Sequence, residues 1–226
     1  MRDGFNIEEF LKMRNSFSLF KNEAKNLSDN DKLEFKKMLK DLKLYANAKE
    51  KGTKFEQLVL FVINKIAIFE GIENVRTSTN EIDILIRLSD VGKIMLNDNL
   101  INIKSNVLLA ECKNYENSKI DVTMVGKFCS LLLNSPSRIG LFISINGFKG
   151  RGKWDSAKGL AKKFYYYKES ENEKYFILDI TLSEIQEYVL NKSFVDLIEE
   201  KITEIELDTE YKNLIEKHEA EGYFKK

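Results

Sequence analysis

The stretch Asn106–Glu116, NVLLAECKNYE, places two charges at the end of an apolar run. Val107 to Ala110 read as a buried strand, and Glu111 and Lys113 follow at once with Cys112 between them. Side chains alternate across a strand, so Glu111 and Lys113 share one face and Cys112 takes the other, where it packs as a small apolar residue. A charge buried without a partner costs several kcal/mol or more. An ion pair at a strand end answers part of that cost. The rest of the chain must supply the remainder.

Outward from this strand, helices and strands alternate, which predicts an α/β domain with a mixed sheet. Before it, SDNDKLEFKKMLKDLKLY (Ser28–Tyr45) has Leu33, Phe35, Met38, Leu39 and Leu42 at helical spacing, with Ser28 and Asp31 set as in a capping box. Gly52 punctuates. TKFEQLVLFVINKIAIFEG then reads as an interior helix ending at Gly71, and NVRTSTNEIDILIRL as a strand pair in which Ile82, Ile84 and Ile86 alternate with Asp83 and Leu85. NDNLINIKSN (97–106) reads as a turn and an edge strand. After the opening stretch come a helix near 121–133, the strand RIGLFISI, a glycine-rich turn, a helix near 155–166 and the strand KYFILDI. Pro136 stands between the first of these helices and RIGLFISI. Thr181 and Glu184 form a capping box for a helical tail that includes FVDLIEEKITEIEL. The organisation expected is a helical N-terminal extension over 1–50, a core over 51–180 and a helical C-terminal extension over 181–226.

Composition narrows the class. The 226 residues are 43% hydrophobic and 32% charged, with zero formal net charge, as for a globular chain. No apolar run approaches the roughly 18 residues of a membrane span, and the charged start MRDGFNIEEF is unlike a signal peptide. Cys112 and Cys129 form neither a disulfide framework nor a metal-ligand pattern, so a cytoplasmic protein is expected. The lone His218 excludes chemistry that needs a histidine pair. Charge is nonetheless segregated: residues 101–168 hold 12 Lys and Arg against 4 Asp and Glu, whereas 169–226 hold 7 against 16. A basic middle suits a phosphate backbone, and it equally suits a solvated face balanced by the acidic tail.

Other acids also stand in apolar surroundings, and they bear on what could compensate Glu111. Asp83 sits inside an isoleucine-rich strand, and Glu56 lies on the interior helix in KFEQLVLFV. Carboxylates brought together repel unless a cation stands between them. Two or three of them suit Mg²⁺, which takes oxygen ligands and retains water, and Mn²⁺ can substitute. A lysine beside such a site can orient or deprotonate the attacking water and offset charge on phosphate.

The order KFEQ, EIDIL, AECKN resembles the PD-(D/E)xK nuclease superfamily, with its restriction-endonuclease-like fold. That motif is an acid on one strand and acid-x-Lys on the next, often with a Glu on the first core helix; Asp83, Glu111, Lys113 and Glu56 take those places. Ile82 stands where the family usually has proline. Within the superfamily the likeness is to Mrr-like restriction nucleases, through SINGF and DSAKGLAKKF after the fourth strand, and it covers roughly residues 52–180. The resemblance implies a mixed central sheet flanked by helices and a Mg²⁺-dependent endonuclease acting on DNA, in restriction or anti-phage defence. It assigns catalysis to Asp83, Glu111, Lys113 and Glu56, and metal binding to the three acids. A structure-specific recombination or repair nuclease, or a non-catalytic nucleic-acid-binding module of the same fold, is the alternative.

Two further motifs need placing. GFKGRGKW (Gly147–Trp154) matches a P-loop spacing, but Trp154 stands where Ser or Thr should reach Mg²⁺. Lys149, Arg151 and Lys153 are better read as contacts to DNA phosphates. The aromatics of KKFYYYK read as a helix end packed on the sheet, with a base-stacking platform as the other reading. The helical ends are candidates for a homodimer or larger homo-oligomer, or for binding a partner protein.

Overall fold

A computed structural model describes residues 7–45, 47–76, 81–150, 156–168, 170 and 173–208. Its sheet has five strands in sequence order: β1 (Phe69–Arg76), β2 (Glu81–Leu88), β3 (Val107–Lys113), β4 (Ile139–Ser144) and β5 (Phe176–Thr181). β1–β2 and β2–β3 pair antiparallel, while β3–β4 and β4–β5 pair parallel. The sheet is therefore mixed, as the alternation of elements predicts. β4 is buried along its whole length, which suits a central parallel strand covered on both faces.

Alternation sorts the strands onto two faces. One carries Ile84, Ile86, Leu108, Ala110, Leu141 and Leu178, packed with Phe35 of α2 (Asp29–Leu42), with Phe55 and Leu58 of α3 (Ala48–Lys65), and with Ile198 of α8 (Phe194–Glu206). The other carries Leu109, Phe142 and Ile177 under α5 (Val122–Leu133) and α6 (Ser156–Tyr165). α5 lies so close to β4 that a Cβ on Gly140 would run into the Phe128 ring. Residues from α2 and α8 thus share one core with the sheet. α1 (Ile7–Lys25) is tied to α8 through the largely buried Lys25, whose Nζ lies 2.8 Å from Asp196 and 2.9 Å from Glu199.

Caps set the helix starts. The Ser28 hydroxyl accepts from the Asp31 N–H at α2, and Thr181 and Glu184 complete a reciprocal capping box at α7 (Leu182–Asn191). No helix among the described residues is long and apolar enough to cross a membrane.

Three local expectations are corrected. Gly52 does not interrupt the chain but lies inside α3. α3 ends at Lys65, not Gly71, because Ile66 turns to extended backbone and its N–H closes on Ile63. Gly71 belongs to β1, opposite Ile86, where its N–H donates to the Asn64 side chain at 2.6 Å. The apolar run thus conceals a helix, a turn and a strand. Finally, no edge strand forms over 97–106; the edge on that side is β1. Instead Ser89 caps α4 (Asp90–Asn97), and Ile101 and Ile103 reach the core from irregular backbone. α4 packs against the β1 approach so closely that a Cβ on Gly92 would meet the Ile68 carbonyl.

Candidate active site

β2 and β3 pair regularly from Arg87–Val107 to Ile84–Ala110. Beyond that point the ladder yields to a side chain: the Asp83 carboxylate accepts the Cys112 N–H at 2.8 Å. The backbone register thus ends where the acids stand, and a carboxylate takes over the cross-strand bond. Lys113 Nζ lies 2.6 Å from Glu111 and 3.5 Å from Asp83. All three side chains are mostly shielded, with 19–26% of their surface exposed. Ligands can reach the group, but water screens it little.

The electrostatics follow from that shielding. Burial raises the Glu111 carboxyl above its ordinary value and the Asp83 charge adds to the rise, against the pull of Lys113. Burial alone would lower Lys113, but Glu111 and Asp83 outweigh it and hold the side chain firmly as an ammonium. Glu56, half-buried on α3, is also raised, by burial and then by Asp83, with Glu111 contributing. It therefore lies within the electrostatic reach of the other two acids. Among the described residues, however, no group of three or more His, Cys, Asp or Glu side chains is placed to hold a metal ion. The structure brings Asp83, Glu111 and Lys113 together, and leaves Glu56 as a neighbour.

Two shielded carboxylates that repel each other form an oxygen-donor set suited to a hard dication with water in its remaining positions. Asp83 and Glu111 fit Mg²⁺ on that ground. Cys112 is buried on the opposite face, with its thiol pushed well up by burial and by the surrounding acids. It packs rather than reacts.

The loop assigned to phosphate contacts is described only in part. Lys149 is exposed and held by its backbone: its N–H donates to Ile120 at 2.8 Å and its carbonyl accepts from Ala157. Arg151 and Lys153 lie outside the described residues, as do Trp154 and His218. In KKFYYYK, Tyr165 is buried against Phe176, whereas Tyr166 and Tyr167 are exposed.

Two residues escaped the sequence reading. Asn114, directly after Lys113, has both side-chain polar atoms buried without a partner among the described residues. Asp179 repeats the signal of Asp83, an acid inside an apolar strand, and it too carries an unpartnered buried oxygen, Oδ1. The alternation in KYFILDI could have found it.

Comparison of the chain with family models, curated proteins and solved structures finds no match.

Proposed function

We propose that this chain is a Mg²⁺-dependent endonuclease that hydrolyses phosphodiester bonds of DNA, in the manner of the PD-(D/E)xK superfamily and in the service of restriction or anti-phage defence. One observation carries the reading: carboxylates from two adjacent strands, Asp83 and Glu111, converge on the ammonium of Lys113. Where a strand-end ion pair needs only two of these groups, acid-x-Lys chemistry uses all three.

Asp83 and Glu111 would hold the metal, and Glu56, within electrostatic reach of both, would act through water. When bound, Mg²⁺ would supply Lewis-acid polarisation of the scissile phosphate. Lys113, kept protonated by its two carboxylates, donates hydrogen bonds from Nζ: to the attacking water, which it orients, or to a non-bridging phosphate oxygen whose charge grows in the transition state. A basic middle segment that includes Lys149 would hold the DNA backbone without reading sequence.

A second reading, a non-catalytic nucleic-acid-binding module, is favoured by the absence of a three-ligand group among the described residues. Incubation of the purified protein with modified and unmodified plasmid separates the two. Nicking or linearisation in Mg²⁺ that EDTA abolishes supports the nuclease. Retention of plasmid without cleavage in Mg²⁺ and in Mn²⁺ rejects it.

A further inference from the structure

A second carboxylate site lies two strands away. Glu111, Phe142 and Asp179 occupy one transverse row of the sheet, so Asp179 stands about 10 Å from Glu111 at ordinary strand spacing. Phe142 divides the two acids, its ring set edge-on against Phe148 at 5.5 Å. Beyond that wall, between α6, α8 and the ends of β4 and β5, is a cavity of about 320 Å³. That is the lower end of the size range of small-molecule sites.

Its polar groups are not all answered among the described residues. Asp179 Oδ2 accepts the Phe148 N–H at 2.9 Å, but Oδ1 is buried with no partner among the described residues. Gly147, at φ +68°, lets the turn close over this carboxylate; a Cβ there would stand 3.1 Å from both oxygens. Burial pushes the Asp179 carboxyl up to about 6, against the Phe148 N–H and the charges of Lys201 and Lys158. Of the four lysines on the rim, Lys201 is engaged by Glu184 at 2.7 Å and Lys162 by Asp208. Lys119 and Lys158 make no ion pair among the described residues. Phe148, Ala161 and Ile177 give an apolar wall.

An occupant that answers all of this needs an N–H donor for Oδ1, a flat apolar body for the wall and an anionic end for Lys119 and Lys158. An amino acid has the charges but not the bulk, and a sugar phosphate lacks the apolar N–H-bearing ring. We infer that this cavity binds a nucleotide, with the amino edge of its base on Asp179 and its phosphate directed to Lys119 and Lys158. The same chemistry is offered by a free mononucleotide and by one unit of a strand lying across the sheet. The site does not depend on the metal reading at Asp83 and Glu111.

The test is calorimetric titration of the full chain, in EDTA at neutral pH, with AMP, CMP, GMP, a short oligodeoxycytidylate and inorganic phosphate. At least one mononucleotide, or the oligonucleotide, is expected to bind at least about tenfold more tightly than phosphate. Binding of mononucleotides identifies a free ligand; binding of the oligonucleotide alone identifies a strand. Asp179→Asn is isosteric, keeps an oxygen for the Phe148 N–H and turns an amide donor toward the base, so binding should fall about tenfold or more. Lys158→Ala, on the rim, should weaken nucleotides severalfold and leave the fold intact whatever Asp179→Asn does. No binding by any nucleotide probe, affinity equal to that of phosphate, or unchanged affinity in a folded Asp179→Asn or in Lys158→Ala would overturn the assignment.

Discussion

The two carboxylate regions on this sheet face solve the same problem in opposite ways. At β2 and β3, Asp83 and Glu111 are answered from within their own strands, by Lys113 Nζ and the Cys112 N–H. At β5, Asp179 is answered on one oxygen only among the described residues, and the lysines around it come from other elements or are engaged elsewhere. The first region is locally self-sufficient and mostly shielded. The second has a buried oxygen that no described residue answers. A strand motif can assemble the former, whereas the latter exists only once α6 and α8 have docked.

The first carboxylate region should be the more sensitive to substitution. Asp83→Ala and Glu111→Ala should each abolish plasmid cleavage; Glu111→Ala should melt no lower than the native chain in metal-free buffer, because it removes a shielded charge that burial and Asp83 disfavour, whereas Asp83→Ala also takes the acceptor from the Cys112 N–H and should melt lower. Full cleavage in either variant removes these acids from the active site. Glu56→Ala should slow cleavage less than either, since it stands outside the group that meets at Lys113.

Next in size is Lys113→Met. It should bind DNA nearly normally and cut on the order of a hundredfold or more slowly, because the interaction lost belongs to the transition state. In EDTA its melting temperature should drop, since two shielded carboxylates lose their counter-ion, and Mg²⁺ should restore it. A structural pair behaves otherwise: stability falls and Mg²⁺ does not recover it. Binding, cleavage and melting measured on one preparation distinguish the two.

Asp179→Asn acts on the second region through pH. The folded-state value of Asp179 lies above its unfolded value near 4, so the native state binds the proton more readily and loses stability as pH rises from about 4 through about 6. Neutralising the side chain removes that loss, which amounts to as much as about 3 kcal/mol at neutral pH. The variant should match the native melting temperature at pH 4, pull ahead between pH 4 and 6, and keep a constant lead above. A lead that does not change with pH would place the relief elsewhere.

The smallest effect belongs to the exposed loop. Lys149→Ala should weaken DNA binding about equally for all sequences and flatten its salt dependence by about one charge, and Arg151→Ala and Lys153→Ala should do the same. An unchanged slope for all three would make the basic middle a solvated face.

Much of this was legible from periodicity. The strand alternation in VLLAECK put Glu111 and Lys113 on one side and Cys112 on the other, and that is how they stand, whereas the meeting with Asp83 depends on how β2 and β3 pair. The Thr181–Glu184 cap was equally plain, since a capping box is a contact between residues three apart. Boundaries inside apolar runs were not legible. Lys65 and Phe69 belong to different elements, yet a buried helix and a buried strand share one composition, and the break at Ile66 depends on what α3 packs against. α4 was hidden for a related reason: Gly92 weakens a helix in isolation, and only its approach to the Ile68 carbonyl explains it.

By itself the sequence determined the alternating architecture, the strand faces and the acid-x-Lys geometry, because each is written in spacings of two to four residues that local backbone geometry converts directly into direction. Tertiary structure decided the rest. It left Glu56 beside the carboxylates rather than among them, seated Asp179 in the row of Glu111, and built the cavity from Phe148, Lys158 and Lys201, residues far apart in the chain. Such placements follow from sheet order and helix docking, which gather distant segments by the burial they share, and no local pattern encodes which distant lysine will face which acid.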